Sequence, residues 1–157
     1  MKLIHKLIFI SLIVYTTTVT NPEFSMQINP REKACIIEAV WYEARGENLN
    51  GRIAVINVIR NRVYSGMYPD SYCDVIREPK QFSYWHQIKN KKPLVNDSNR
   101  VLYLEIETLA EQALKGTILD VVPSDVLWYH HIRVSPKWSK RMKTDTVIGM
   151  HKFLRKD

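Results

Sequence analysis

Glu43 and Glu47 stand where a carboxylate is costly, at the end of a segment with one apolar face. Ile36, Ile37, Val40 and Trp41 recur at helical spacing, and Glu43 falls on the face they share, whereas Glu38 points away. Loss of hydration disfavours the charged form of a carboxyl group. A like charge at Glu47, one turn further on, would raise the pKa of one of the pair. A glutamic acid held partly protonated near neutral pH is what general-acid cleavage of a glycosidic bond requires. A plainer reading fits the same spacing: a solvated glutamate near a helix end, Gly46 as the C-cap and Glu47 in a loop. Spacing alone leaves both open.

The elements that must position these acids follow from periodicity and punctuation. The first helix starts near Pro30, with Glu32 in its first turn. A second runs from about Asn50-Gly51 through Ile53, Val55, Ile56, Val58 and Ile59 to Val63. It is apolar around most of its circumference, which predicts the central buried helix. Ser65-Gly66 ends it, Pro69-Asp70-Ser71 is a turn and cap, and a short helix reaches Glu78-Pro79. Residues 81–95 are aromatic, basic and amide-rich without periodicity, and are expected to form a long functional loop. Asn96–Asn99 cap a further helix with Leu102, Ile106, Leu109, Ala110 and Ala113 as its core stripe, ending at Lys115-Gly116. Two strand-like runs follow, Val126–Ile132 and Val147–Leu154, with Pro136–Lys143 between them. Helices first and a small antiparallel element last predict an α+β domain over residues 30–157, preceded by a short linker at 21–29.

Phe82, Tyr84, Trp85, Trp128, Tyr129 and Trp138 are interleaved with Gln81, Ser83, Gln87, His130 and His131. Sugar rings have apolar faces and polar rims, so such a set suits a saccharide groove; burial in the core is the competing fate of the larger rings. A zinc site would have to gather His86, His130 and His151 from separate segments. There is no HExxH or cysteine-pair spacing, so no metal or other cofactor is expected. A serine nucleophile lacks a GxSxG elbow, and Cys35 or Cys73 lacks an evident base.

With 157 residues, 45% hydrophobic and 25% charged, the chain suits one folded domain and excludes disordered or fibrous classes. The formal charge is +7, densest at Lys89–Lys92 and between Lys137 and Lys156. No arginine-rich helix, zinc-finger spacing or RNA-binding aromatic motif accompanies it, so nucleic acid is not the expected partner and an anionic polymer such as a cell wall fits. Lys2 and Lys6 precede an apolar run from Leu7 to Tyr15 and a threonine-rich stretch. Residues 1–20 therefore predict an export signal, with a retained signal-anchor as the alternative because threonines are an atypical cleavage site. Export would place Cys35 and Cys73 where they could pair; free buried thiols remain the alternative.

The same residues resemble the SleB-type cell-wall hydrolases. Tyr42-Glu43-Ala44-Arg45-Gly46-Glu47 is similar to that family's opening motif, followed at its spacing by Gly51, Ala54, Val55 and Asn61-Arg62-Val63. Tyr68-Pro69, Asp74-Val75-Ile76 and Gln81-Phe82-Ser83 correspond to a central block. Tyr129-His130, Val134, Pro136-Lys137-Trp138, Ile148-Gly149, His151 and Phe153 correspond to a C-terminal one. Trp128 and Leu154 depart from the pattern. The resemblance implies a lysozyme-like fold related to lytic transglycosylases, acting on peptidoglycan glycan strands between N-acetylmuramic acid and N-acetylglucosamine. It implies Glu43 as the catalytic acid, and Glu47, Gln81, Phe82, Ser83, Tyr129 and His130 as substrate-binding residues. One carboxylate suffices for a lytic transglycosylase, which leaves 1,6-anhydromuramic ends. A hydrolytic muramidase would need a second, from Glu47 or Asp74. A zinc amidase and a non-catalytic wall-binding module are the remaining alternatives.

Overall fold

The computed structural model describes residues 27–82 and 84–157. The expected export signal at residues 1–20, most of the linker, and Ser83 lie outside the described residues.

Helix α1 (Pro30–Ala44) begins where Asn29 accepts hydrogen bonds from the Arg31 and Glu32 amides, at 3.0 and 3.4 Å. Proline at the first helical position and an acid in the first turn suit that end of the helix dipole. A four-residue turn follows, and Asn48 caps α2 (Leu49–Tyr64) by accepting from the Gly51 amide at 2.9 Å. As periodicity predicts, α2 is the buried helix: Ala54, Val55, Ile56, Val58 and Ile59 are all fully enclosed. Helix α3 (Tyr72–Arg77) is capped by Ser71, and α5 (Arg100–Lys115) closes at Gly116. Helices α2, α3 and α5 all pack on α1, and α1 and α5 are further tied by Lys33, which bridges Glu107 and Glu111 at 3.0 and 3.1 Å. Cys35 and Cys73 form a disulfide joining α1 to α3.

The expected loop at 81–95 is interrupted by a short helix, α4 (Tyr84–Gln87). It stacks Tyr84 on Tyr42 of α1, with ring centroids 4.9 Å apart. Glu38 does not simply face solvent: one carboxylate oxygen is buried, and the Tyr84 hydroxyl faces the group. Periodicity within α1 cannot foresee a cover supplied by a segment some forty residues later.

The C-terminal part corrects the sequence reading most. Val147–Leu154 is not one strand but the end of β2 (Lys143–Ile148), a turn at Gly149-Met150, and β3 (His151–Arg155). With β1 (Trp128–His131) they form an antiparallel sheet of order β1-β3-β2. A 3-10 helix, Lys137–Arg141, joins β1 to β2. Strand β2 shows no apolar alternation, because its first four residues are charged or threonine and half of the strand is exposed.

Polar residues on the buried α2 fasten the chain leading into this sheet. Asn57 donates to the Leu119 carbonyl at 3.0 Å and accepts from the Val121 amide at 2.9 Å. One turn later Asn61 donates to the Pro123 and Val126 carbonyls, and Arg62 Nε donates to the Leu127 carbonyl at 2.8 Å. Buried peptide groups must be satisfied. Three side chains of one helix do so for an irregular segment and thereby fix where β1 starts.

Candidate active site

Glu43 lies in the last turn of α1, half-buried, with its carboxyl group directed at the sheet. The Tyr129 hydroxyl of β1 donates to Glu43 Oε2 across 3.4 Å, a long contact. Burial pushes the Glu43 pKa up, while the Tyr129 hydrogen bond and the nearby Arg62 charge pull it back. The negative end of the α1 dipole also opposes ionisation there. The expected contribution from Glu47 is not among these causes.

Arg62 is only 4% exposed. Its guanidinium lies over the Tyr68 and Phe82 rings, 5.1 and 5.8 Å from their centroids, and Nη1 has no hydrogen-bond partner among the described residues. Burial lowers its pKa, and the neighbouring Tyr129, Glu78 and Glu43 favour its charge. A cation was identified here as part of a sequence motif but without a role. The signal was available in that motif, where Asn61 and Arg62 continue a predominantly apolar run from Ile53 to Ile59.

Two hollows involve neighbours of Glu43: its contact Tyr129 in one, and the adjacent helix residue Tyr42 in the other. One, of about 370 Å³, is lined by Arg62, Gln81, Trp128, Tyr129, Trp138 and Met142. The other, of about 460 Å³, opens beside the neighbouring residues Tyr42 and Arg45, where Arg45 lies over the Trp41 and Tyr42 rings and Leu94 contributes from the 81–95 segment. Tyr129 thus links Glu43 to one aromatic-walled hollow, and a second lies beside the preceding residue of its helix.

Of the expected binding residues, the structure brings Gln81 and Tyr129 to this cleft. Phe82 is instead a core residue, 1% exposed, packed edge-on to Tyr84 at 6.2 Å. It supports Arg62 from beneath and has no surface for a ligand. His130 does not itself line the hollow but packs against Trp138, which does. Successive strand residues face opposite sides, so with Tyr129 towards Glu43 the His130 ring is on the far face, edge-on to Trp138 and bonded through Nδ1 to the His131 carbonyl at 3.0 Å. The same alternation separates His130 from His151, since His151 pairs with His131. Among the described residues no three histidine, cysteine or acidic side chains are placed to hold a metal.

Glu47 is engaged away from the hollow beside Tyr129. Its carboxylate is enclosed, accepting from the Met150 amide at 3.0 Å and lying 3.5 Å from His151 Nδ1. Burial holds His151 below the usual imidazole range, so at neutral pH it faces Glu47 as an uncharged ring. Glycines frame this contact on both sides. A β-carbon at Gly51 would meet Glu47 Cβ at 2.7 Å, and one at Gly149 would sit 1.8 Å from Glu47 Oε2. Glu47 therefore ties the α1–α2 turn to the β2–β3 turn and does not face the cleft. Asp74, the other possible second acid, is at the exposed start of α3, bonded to Ser71 and near Arg31.

The profile of a family described as cell wall hydrolases matches residues 46–154, beginning three residues after Glu43. The spore cortex-lytic enzyme of Bacillus subtilis is 44% identical over 95 residues, a match covering 60% of this chain and 27% of that protein. The Bacillus cereus enzyme of the same name is 29% identical over 119 residues, covering 74% of this chain and 41% of that one. The chain spans less than half the length of the curated relatives it matches. Among solved structures, the catalytic domain of the Bacillus cereus SleB protein superposes with a TM-score of 0.66 at 25% identity, covering 82% of this chain and 93% of that one. The catalytic domain of the germination-specific lytic transglycosylase SleB from Bacillus anthracis gives 0.64 at 27% identity, covering 81% and 96%.

Proposed function

Because the chain belongs to the cell wall hydrolase family, we propose that it cleaves the glycan strands of peptidoglycan between N-acetylmuramic acid and N-acetylglucosamine, with Glu43 as the single acid and base. The observation that carries this reading is the Glu43 carboxyl group itself: half-buried, raised in pKa, and hydrogen-bonded to Tyr129, which walls an aromatic-lined hollow. Protonated Glu43 gives its proton to the bridging oxygen as the bond from that oxygen to C1 of muramic acid breaks. The muramic C6 hydroxyl closes on C1 and returns its proton to the Glu43 carboxylate. The products are a 1,6-anhydromuramic end and a free hydroxyl on the glucosamine, and the acid is regenerated.

Tyr129 holds the carboxyl group in one orientation, and the Arg62 charge eases the step in which Glu43 becomes an anion. A hydrolytic muramidase would need a second carboxylate to activate water. Glu47 is engaged with Met150 and His151, and Asp74 is exposed at α3, which favours the transglycosylase. A zinc amidase finds no support in His130 and His151, which face opposite sides of the sheet. Action outside the cytoplasm, through residues 1–20 as a signal or anchor, fits a disulfide between Cys35 and Cys73, since such bonds persist in oxidising compartments.

Reducing-end chemistry of the products tests the reaction. Mass spectrometry of fragments released from purified peptidoglycan should find 1,6-anhydro ends that borohydride does not reduce. Reducible muramic ends as the main product would mean hydrolysis instead.

A further inference from the structure

The positive charge of this chain is concentrated beside the cleft. Between Trp128 and Lys156 there are eight basic residues and one acidic, a surplus equal to the +7 of the whole sequence. Arg155 is paired with Asp125 and Asp145. Lys137, Lys140, Arg141 and Lys143 are exposed and form no ion pair with a described residue. They lie on or next to the 3-10 helix, whose Trp138, with Met142 just beyond it, lines the hollow next to Tyr129.

Lys80 lines the same hollow from the opposite part of the chain. Its backbone is left-handed, at φ +66°, and it is the one residue other than glycine so placed among the described residues. Glycine would occupy that conformation without strain, and a side chain kept there against the preference marks a position where strain and ligand contact tend to coincide. The Lys80 ammonium, too, has no partner among the described residues. The hollow therefore has a buried cation in its wall, Arg62, whose charge the nearby Tyr129, Glu78 and Glu43 favour. Cations whose charge no described residue meets stand at its rim.

We propose that this rim recognises the carboxylates of the peptide stems carried by muramic acid, so that stem-bearing, negatively charged glycan is the preferred substrate. The proposal rests on reading the cleft as one for peptidoglycan. A stem branches from the muramic ring, so with the ring against the Tyr129 wall the stem leaves over the rim and not along the strand axis. Lysine and arginine side chains are long enough to follow a flexible stem, and they act as point charges or forks on its carboxylates. Each exposed pair contributes little alone and is screened by salt, so the preference is a sum over several cations and is greatest at low ionic strength.

Binding of the Glu43→Gln protein to insoluble peptidoglycan sacculi, measured by co-sedimentation at low salt, tests this without turnover. Native sacculi are compared with sacculi whose carboxylates have been converted to amides by carbodiimide and ammonia. The expected affinity ratio is about tenfold in favour of the native wall, the sum of several exposed pairs. Adding Lys80→Gly, which also relieves the left-handed backbone, should cut that ratio about threefold. Lys89→Ala removes the same charge from the 81–95 segment and should keep the ratio. Equal binding to both sacculi overturns the proposal. So does an equal drop with Lys80→Gly and Lys89→Ala, which would mean bulk charge alone. Because the assay needs no catalysis, a wild-type protein that cleaves nothing but shows the ratio would remove the catalytic reading and leave the recognition surface standing.

Discussion

At the scale of single residues, Glu43 has opposite consequences for stability and for chemistry. Its folded-state pKa is raised by burial, so the fold favours the protonated acid. The corresponding stability is fully present below the unfolded carboxyl pKa and is lost as pH rises through the folded value. Glu43→Gln, which has the same shape and no charge, should therefore match the thermal midpoint of the wild type in acid and exceed it by a few degrees at neutral pH. Midpoints measured from about pH 4 to 8 check this; a gap that is constant with pH would mean that Glu43 is not held in a desolvated site. The position of Glu43 was legible in the sequence because a helical face is local. The roles of Glu47, Phe82 and His130 were not, since each depends on a partner elsewhere. The Met150 amide that holds Glu47 is 103 positions away, and the side of the sheet taken by His130 follows from where Tyr129 meets Glu43.

At the scale of elements, the site depends on how a helical half and a β half are joined, and two devices do this. Asn57, Asn61 and Arg62 fasten the segment ahead of β1 to α2, and Glu47 fastens the β2–β3 turn to the start of α2. The order of helices and the buried character of α2 could be read from periodicity. The hairpin could not, because β2 has no apolar face and Gly149 lay within what looked like one continuous strand. Gly149 has φ +56° and no room for a β-carbon beside Glu47. Gly149→Ala should lower unfolding free energy by at least about 2 kcal/mol, from left-handed strain plus displacement of a buried carboxylate. Urea denaturation measures it. A change below about 0.5 kcal/mol would show that the turn relaxes freely and that Glu47 does not hold it.

At the scale of the whole molecule, a helical layer supplies the acid and a small basic sheet supplies the wall that faces it. The hollow beside Tyr129 is walled by the Trp128, Tyr129 and Trp138 rings, which suit the apolar faces of a sugar. The order of helices and sheet is that of an α+β domain, and the solved SleB catalytic domains share its fold over more than four-fifths of the described and undescribed chain together. The central claim is that one carboxyl group drives the cleavage, and a single comparison tests it most directly. Wild-type and Glu43→Gln proteins, each shown to be folded by circular dichroism, are incubated with the same purified peptidoglycan and the release of soluble fragments is followed. Loss of the only acid and base should reduce the rate by at least about 10²–10⁴-fold. A folded Glu43→Gln protein that releases fragments at close to the wild-type rate would contradict the account.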